Sequence, residues 1–136
     1  MATQALKTIL AALVSQLDTD VGALNYVTDN AVEIDRIAPG KFPAAIITVG
    51  PSHISHAITS TNWITVLLNI RLATKSGQSE LYDIWEAVLD SIADDPSIGG
   101  TCIKALVATS DPPVVWPKGE LFFGDCQVEV VYERDF

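Results

Sequence analysis

Basic residues are scarce in this chain: 8 Lys and Arg stand against 17 Asp and Glu, giving a formal charge of −9 at neutral pH. A surface that grips DNA or RNA needs Lys and Arg to displace counterions, so that class is disfavoured. An acidic channel wall, which lets nucleic acid slide past without sticking, stays compatible. So does acidity that only keeps a protein in solution. Charge of either sign is also thin, at 18% against roughly 25% in ordinary domains. The deficit fits a surface partly covered by a partner, and equally a surface rich in Ser and Thr. Cysteine is limited to Cys102 and Cys126, too few for a disulfide framework. They fall in separate expected strands and read as buried thiols of a reducing compartment.

Long apolar runs are missing too. No stretch reaches the ~18 consecutive apolar residues of a membrane span, so no membrane partner is expected. The N-terminus, MATQALKTILAALVSQLD, holds small and apolar residues but has no basic leader beyond Lys7. Its apolar residues are periodic, which predicts a structural helix rather than a signal peptide.

Catalytic constellations are absent as well, and no cofactor is implied. His53 and His56 form an H-x-x-H pair, but the segment is β-prone and nothing near in sequence completes a ligand set. Asp94-Asp95 and Glu80, Asp83 and Glu86 read as a solvated helix face rather than a catalytic pair. Ser110-Asp111 with the two histidines lacks the elbow of a hydrolase nucleophile. Gly99-Gly100 has neither a Walker lysine nor a dinucleotide-binding frame. An enzyme is not the expectation.

What is present is a foldable pattern. With 136 residues, 49% of them hydrophobic, the chain is one domain with a real core. Within residues 80–100, Leu81, Ile84, Trp85, Val88, Leu89 and Ile92 recur at the spacing of one helix face, with Asp83, Glu86 and Asp90 opposite. Ser79 is a candidate cap, and Pro96 stops the helix. Residues 3–17 repeat the stripe as Leu6, Ile9, Leu10, Leu13, Val14 and Leu17, with Thr3 as candidate cap.

Alternation predicts a strand over 31–37, where Val32 and Ile34 oppose Glu33 and Asp35. A Pro-Gly turn follows over 38–41, then a short strand over 44–49. Residues 50–62 read as a long loop or extended arm. Residues 63–73 give the clearest strand: Ile64, Val66, Leu68, Ile70 and Leu72 face one way, and Trp63, Thr65, Leu67, Asn69 and Arg71 the other. Further strands are expected over 102–109 and 120–134, with a bulge at Gly124. Residues 110–119, with three prolines, form the loop between them. The expected fold is α+β: two helices on one face of a mostly antiparallel sheet of about four to five strands, in the order α-β-β-β-α-β-β.

Apolar groups outside the expected core are the candidates for protein contact. Val114, Val115 and Trp116, with Lys118, lie in the proline-bounded loop, where a rigid aromatic suits an interface anchor. Trp116 folding back to cap the sheet edge is the alternative. Trp63, on the outer sheet face, poses the same choice. His53, Ile54 and His56 on the 50–62 arm complete the set.

The layout resembles a known family. A first amphipathic helix precedes an acidic-hydrophobic stretch and P-x-K-F-P-A-A-I-I-T-V (residues 39–49). A strand ending I-R-L-A (70–73), the helix E-L-Y-D-I-W-E-A-V-L-D, then D-P-S-I-G-G, S-D-P-P and V-E-V-V-Y follow. Taken together these resemble the tail-terminator, or tail-completion, proteins of long-tailed bacteriophages, also described as minor tail proteins. The resemblance spans nearly the whole chain, although none of its motifs is a chemical signature. It implies a non-enzymatic ring, typically a hexamer, that caps the tail tube at the head-proximal end of the virion, after assembly in the bacterial cytoplasm. The partners implied are further copies of the chain, the tail tube protein and a head-completion or connector protein, with DNA only passing through the lumen. A head-side connector or neck protein shares much of this layout. A small host ligand-binding or enzymatic α+β domain is the rival from another class.

Overall fold

The computed structural model describes residues 4–33, 36–58, 61–107 and 113–135, with backbone alone for 51–58, 61, 62 and 135. Two helices and a mixed sheet of six strands make an α+β domain. Helix α1 spans Leu6–Asp20 and buries Ile9, Leu13 and Leu17, four residues apart on one face. It begins behind Ala5 without a side-chain cap; Thr3 lies outside the described residues. It also runs past Leu17 to Asp20, although acids suit a helix C-terminus poorly. The Ser91 hydroxyl, donating to Asp20 Oδ2 at 2.7 Å, offsets that.

Helix α2 spans Gln78–Asp94 and buries Leu81, Ile84, Trp85, Val88 and Ile92, with Leu89 packed at the core margin. Its cap position is Gly77 at φ 103°, two residues earlier than the expected Ser79. Only glycine adopts that backbone easily. The helices meet through Gln16, whose Nε2 donates to the carbonyls of Ser91 at 3.0 Å and Asp95 at 3.3 Å.

The strands are β1 (Tyr26–Thr28), β2 (Ala44–Ile58), β3 (Thr61–Thr74), β4 (Lys104–Val107), β5 (Trp116–Lys118) and β6 (Leu121–Asp135). The sheet order is β1-β2-β3-β6-β4, with β5 beside β6. β1 runs parallel to β2 and every other pairing is antiparallel. One sheet face supplies Ile47, Val66, Leu68, Ile70, Leu72, Val128 and Val130 to the core, against α1 and α2. Nothing in the described residues is a helix long and apolar enough to cross a membrane.

Several expectations are corrected. Residues 31–33 and 36–37 form no strand, and 34–35 lie outside the described residues. β1 takes the sheet edge instead, with Tyr26 opposite Ala44 and Thr28 opposite Ile46. The apolar residues of the 31–37 stretch serve another purpose: Val32 and Ile37 join Phe42 in a second cluster on the far side of the sheet.

The polar 50–62 stretch is strand through Ile58 and again from Thr61. Its register shifts between Val49 and Ser52, where a Cβ on Gly50 would lie 2.9 Å from the Leu67 carbonyl oxygen. A bulge with glycine at the close approach lets β2 stay paired despite its irregular pattern. Gly124, by contrast, marks no bulge, because β6 pairs with β3 unbroken from Phe122 to Asp135.

β4 is shorter than the expected 102–109 strand. Cys102 still belongs to the preceding turn, its thiol donating to the Ser97 carbonyl at 3.3 Å. Residues 108–109 of that expected strand and 110–112 of the 110–119 loop lie outside the described residues, but Trp116–Lys118 in the loop pairs with β6. Pro117 is tolerated there because β5 is an edge strand.

Candidate protein-interaction surface

The sheet face away from the helices carries Trp63, Thr65, Leu67, Asn69 and Arg71 of β3. One end of it is covered. Ile37, Phe42, Ala44, Ile46, Ala73 and Leu121 form a second buried cluster, with Tyr26, Val32 and Phe123 packed at its rim. Arg71 borders this covered end. Its Nε and Nη2 donate to the two carboxylate oxygens of Asp125 at 2.7 and 2.9 Å, and its guanidinium lies 4.9 Å from the Phe123 ring centre. The hydrogen-bonded carboxylate raises the Arg71 pKa above its ordinary value. A cleft of about 320 Å³ adjoins the pair, lined by Ala31, Val32, Glu33, Ile46, Thr48, Asn69 and Arg71.

Beyond Arg71 the outer face stays accessible. Thr65, Leu67 and Asn69 are half-buried on β3. Trp63 is 43% exposed and Leu106 on β4 is 49% exposed. Leu106 pairs with Glu129, and Glu129 with Leu67, so the three sit in one row across the sheet.

The sequence-derived candidates separate into distinct places. Trp63 pairs with Ser55 on one side and Glu133 on the other. Trp116 is 58% exposed and pairs with Phe123, ten positions along β6 from Glu133. At about 3.4 Å per residue the two tryptophans stand about 34 Å apart along the sheet.

Val114 is 67% exposed, whereas its neighbour Val115 turns inward against the main core. The proline-bounded segment is thus anchored by one valine while Val114 and Trp116 project to solvent. Lys118 is exposed opposite Leu121.

His53, Ile54 and His56 lie in β2, opposite Thr65, Ile64 and Asn62. Their side chains are outside the described set. An H-x-x-H pair in a strand lacks the one-turn spacing that a helical pair would use. Among the described residues, no three of His, Cys, Asp and Glu gather to hold a metal.

Leu106, Ile103 and Val49 are exposed apolar residues that the sequence did not single out. In the run CIKALVAT both strand faces read as apolar, so alternation gave no signal to separate Leu106 from buried Ala105. The turn before β4 is held by Asp95, whose carboxylate accepts from the Ser97 hydroxyl at 2.7 Å and the Gly99 amide at 2.9 Å. These bonds, Ser97 foremost, lower the Asp95 pKa. Its part is to aim β4, with Gly99 and Gly100 in left-handed backbone beside it. Comparison with known protein families and with curated proteins finds no match to this chain.

Proposed function

We propose that this chain is a structural virion protein that closes into a ring on the head-proximal end of a phage tail tube. There it ends tube growth and offers the surface to which the head joins. The observation that carries this reading is the placement of two exposed tryptophans at opposite ends of one helix-backed sheet, about 34 Å apart. A ring stacked between two partners needs anchors at both ends, and large rigid aromatics suit that task. The resemblance of the chain's layout to tail-terminator proteins points the same way.

The partners under this reading are further copies of the chain, the tail tube protein and a head-completion or connector protein. DNA passes through the lumen without a specific site, in keeping with a charge of −9. Head-to-tail contacts that close on themselves stop polymerisation by geometry, with no chemical step.

The test is to add the purified protein to head-less tails and image which end it labels, alongside light scattering of the protein alone. Rings at one tail end, and tails that no longer lengthen, are the expected result. Label on heads but never on tails would favour a neck protein. A chain that stays monomeric and never binds tail tubes would overturn the proposal.

A further inference from the structure

Acidic residues are unevenly placed along this chain. None lies between Asp35 and Glu80, and none between Asp95 and Asp111. These two acid-free stretches contain the two open edges of the sheet. On its outer side β2 pairs only with β1, as far as Ile46; from Ile47 to Ile58 that edge has no partner among the described residues. β4 closes the strand order at the other end, and its outer edge is likewise unpaired among them. An unpaired edge is a template for another strand, and natural proteins blunt such edges with charge, proline or bulges. The β2 edge carries its bulge and Pro51 between Val49 and Ser52, which leaves Ser52–His56 as its unbroken open part. Between Lys41 and Arg71 the chain has no charged Asp, Glu, Lys or Arg at all.

We infer that the outer edge of β2 receives the β4 edge of a second copy of this chain, so that the sheet continues from copy to copy. The inference rests on the ring reading and names the contact that would close the ring. Charge selects a like copy as the occupant. Two chains at −9 repel, so contact between them is favoured where acids are missing, and both open edges qualify. β4 adds one exposed base, Lys104. A cationic partner would instead seek the acids of α2 and β6.

Strand direction agrees. β2 with β3, β3 with β6 and β6 with β4 are each antiparallel, so β4 runs opposite to β2. A second copy in the same orientation therefore meets β2 antiparallel. Height agrees as well. Lys104 and Val107 pair with Val131 and Val128, these with Thr65 and Leu68, and these with His53 and Val49. Copies set side by side bring Lys104 level with His53, at the start of the unbroken part of the edge, and Val107 level with Val49 on the far side of the bulge. The contact would also cover Ile103 and Leu106, which are exposed on the single chain. Because the edges differ, the contact is head-to-tail, and sheet twist turns each copy relative to the last, as a closing ring requires.

Cysteine pairs test this directly. Lys104→Cys is combined in one chain with His53→Cys, the level partner, or with Ser55→Cys on the same sheet face, and oxidised mildly, with each single variant as control. Native Cys102 and Cys126 are buried and stay silent. The expected result is a ladder of covalent multimers from at least one double variant, and a heterodimer when the two singles are mixed. Monomer throughout would overturn the inference. So would dimers from the β2 singles alone, which would mean β2 against β2 about a two-fold axis. Leu106→Lys, at an exposed site that folding tolerates, should weaken self-association at least tenfold by sedimentation; unchanged association would overturn the inference too. Capped tails without a ladder would refute this contact and leave the ring reading standing. A ladder from a protein that never labels tails would refute the tail reading and leave this contact intact.

Discussion

Replacing Gly124 with alanine probes how the proline-bounded segment sits on β6. A Cβ at this position would lie 3.0 Å from Pro113 Cβ, 3.3 Å from Leu81 Cδ2 and 3.3 Å from the Val114 carbonyl oxygen. The first neighbour belongs to a proline ring and the third is backbone, so neither yields by rotating a side chain. The second belongs to a fully buried leucine of α2. The added methyl is thus gripped between the helix and the crossing segment, and one of them must move. Overpacking of this kind costs about 1–3 kcal/mol. The lost freedom of the unfolded chain offsets about 0.4–1 kcal/mol, leaving a net destabilisation of about 0.5–2 kcal/mol. For a chain of this length that lowers Tm by about 2–10 °C.

Thermal unfolding followed by circular dichroism or calorimetry reads the effect. Gly22→Ala is the control, since nothing lies within 4 Å of a Cβ there, and it should be neutral or slightly stabilising. Pro113→Gly removes the closest carbon. In a double-mutant cycle it should recover at least about 0.5 kcal/mol of the Gly124→Ala loss. Native-like stability of Gly124→Ala, or strict additivity with Pro113→Gly, would refute the close crossing of this segment over β6.

Ser91→Ala removes a buried hydroxyl that donates to Asp20 at 2.7 Å and accepts from Gln16 at 3.3 Å. It should cost about 1–2 kcal/mol in urea unfolding, mostly by leaving partners at the helix–helix contact unsatisfied. Burial pushes the thiols of Cys102 and Cys126 up to about 11 and about 12. Ellman's reagent at pH 8 should therefore label neither in the native protein and both after denaturation. Because both thiols are raised above their unfolded values, the stability they contribute is complete below pH 9 and declines as pH climbs towards 11; a Tm unchanged between pH 8 and 10.5 would contradict this. Asp125→Asn breaks the bidentate pair with Arg71, whose side chains are 41% and 36% exposed on the Arg and Asp sides. It should cost no more than about 1 kcal/mol, with a smaller cost in high salt.

Both helices were legible because their apolar residues follow one strong period, and Leu81, Ile84, Trp85, Val88 and Ile92 are buried together as that period requires. The β3 alternation was equally plain, with Ile64 through Leu72 inward and Trp63 through Arg71 less buried. Where residues bury against something other than the main core, the pattern misleads. Val32 and Ile37 look like one face of a strand, yet they cover the outer side of the sheet. Residues 52–58 carry no period because they belong to a long hairpin, and pairing with β3 holds them extended. The exposed Leu106 was hidden in an apolar run. Gly124 was noticed but its cause was misread: it yields space to Pro113 and Val114, which are far away in the alternating pattern. Long-range packing of this kind leaves little local trace.

The second cluster decides which parts of the sheet a partner can reach. Ile37 and Phe42 close the outer face at the end where β1 and β5 lie, so contact at that end falls to the rim, where Val114 and Trp116 project. Towards the other end Trp63 and Leu106 stand exposed on the sheet itself. The ends therefore present different surfaces and suit different partners. They are joined by β3 and β6, paired at every position from Thr61 to Thr74, with α1 and α2 packed on the inner side. Force or displacement at one end passes along paired strands backed by a dense core, not through a loop. The proposed ring, held between a tube and a head, would need a rigid spacer of that kind, a constraint that falls on backbone pairing rather than on any particular side chain. Under that proposal the function would leave few marks in individual residues.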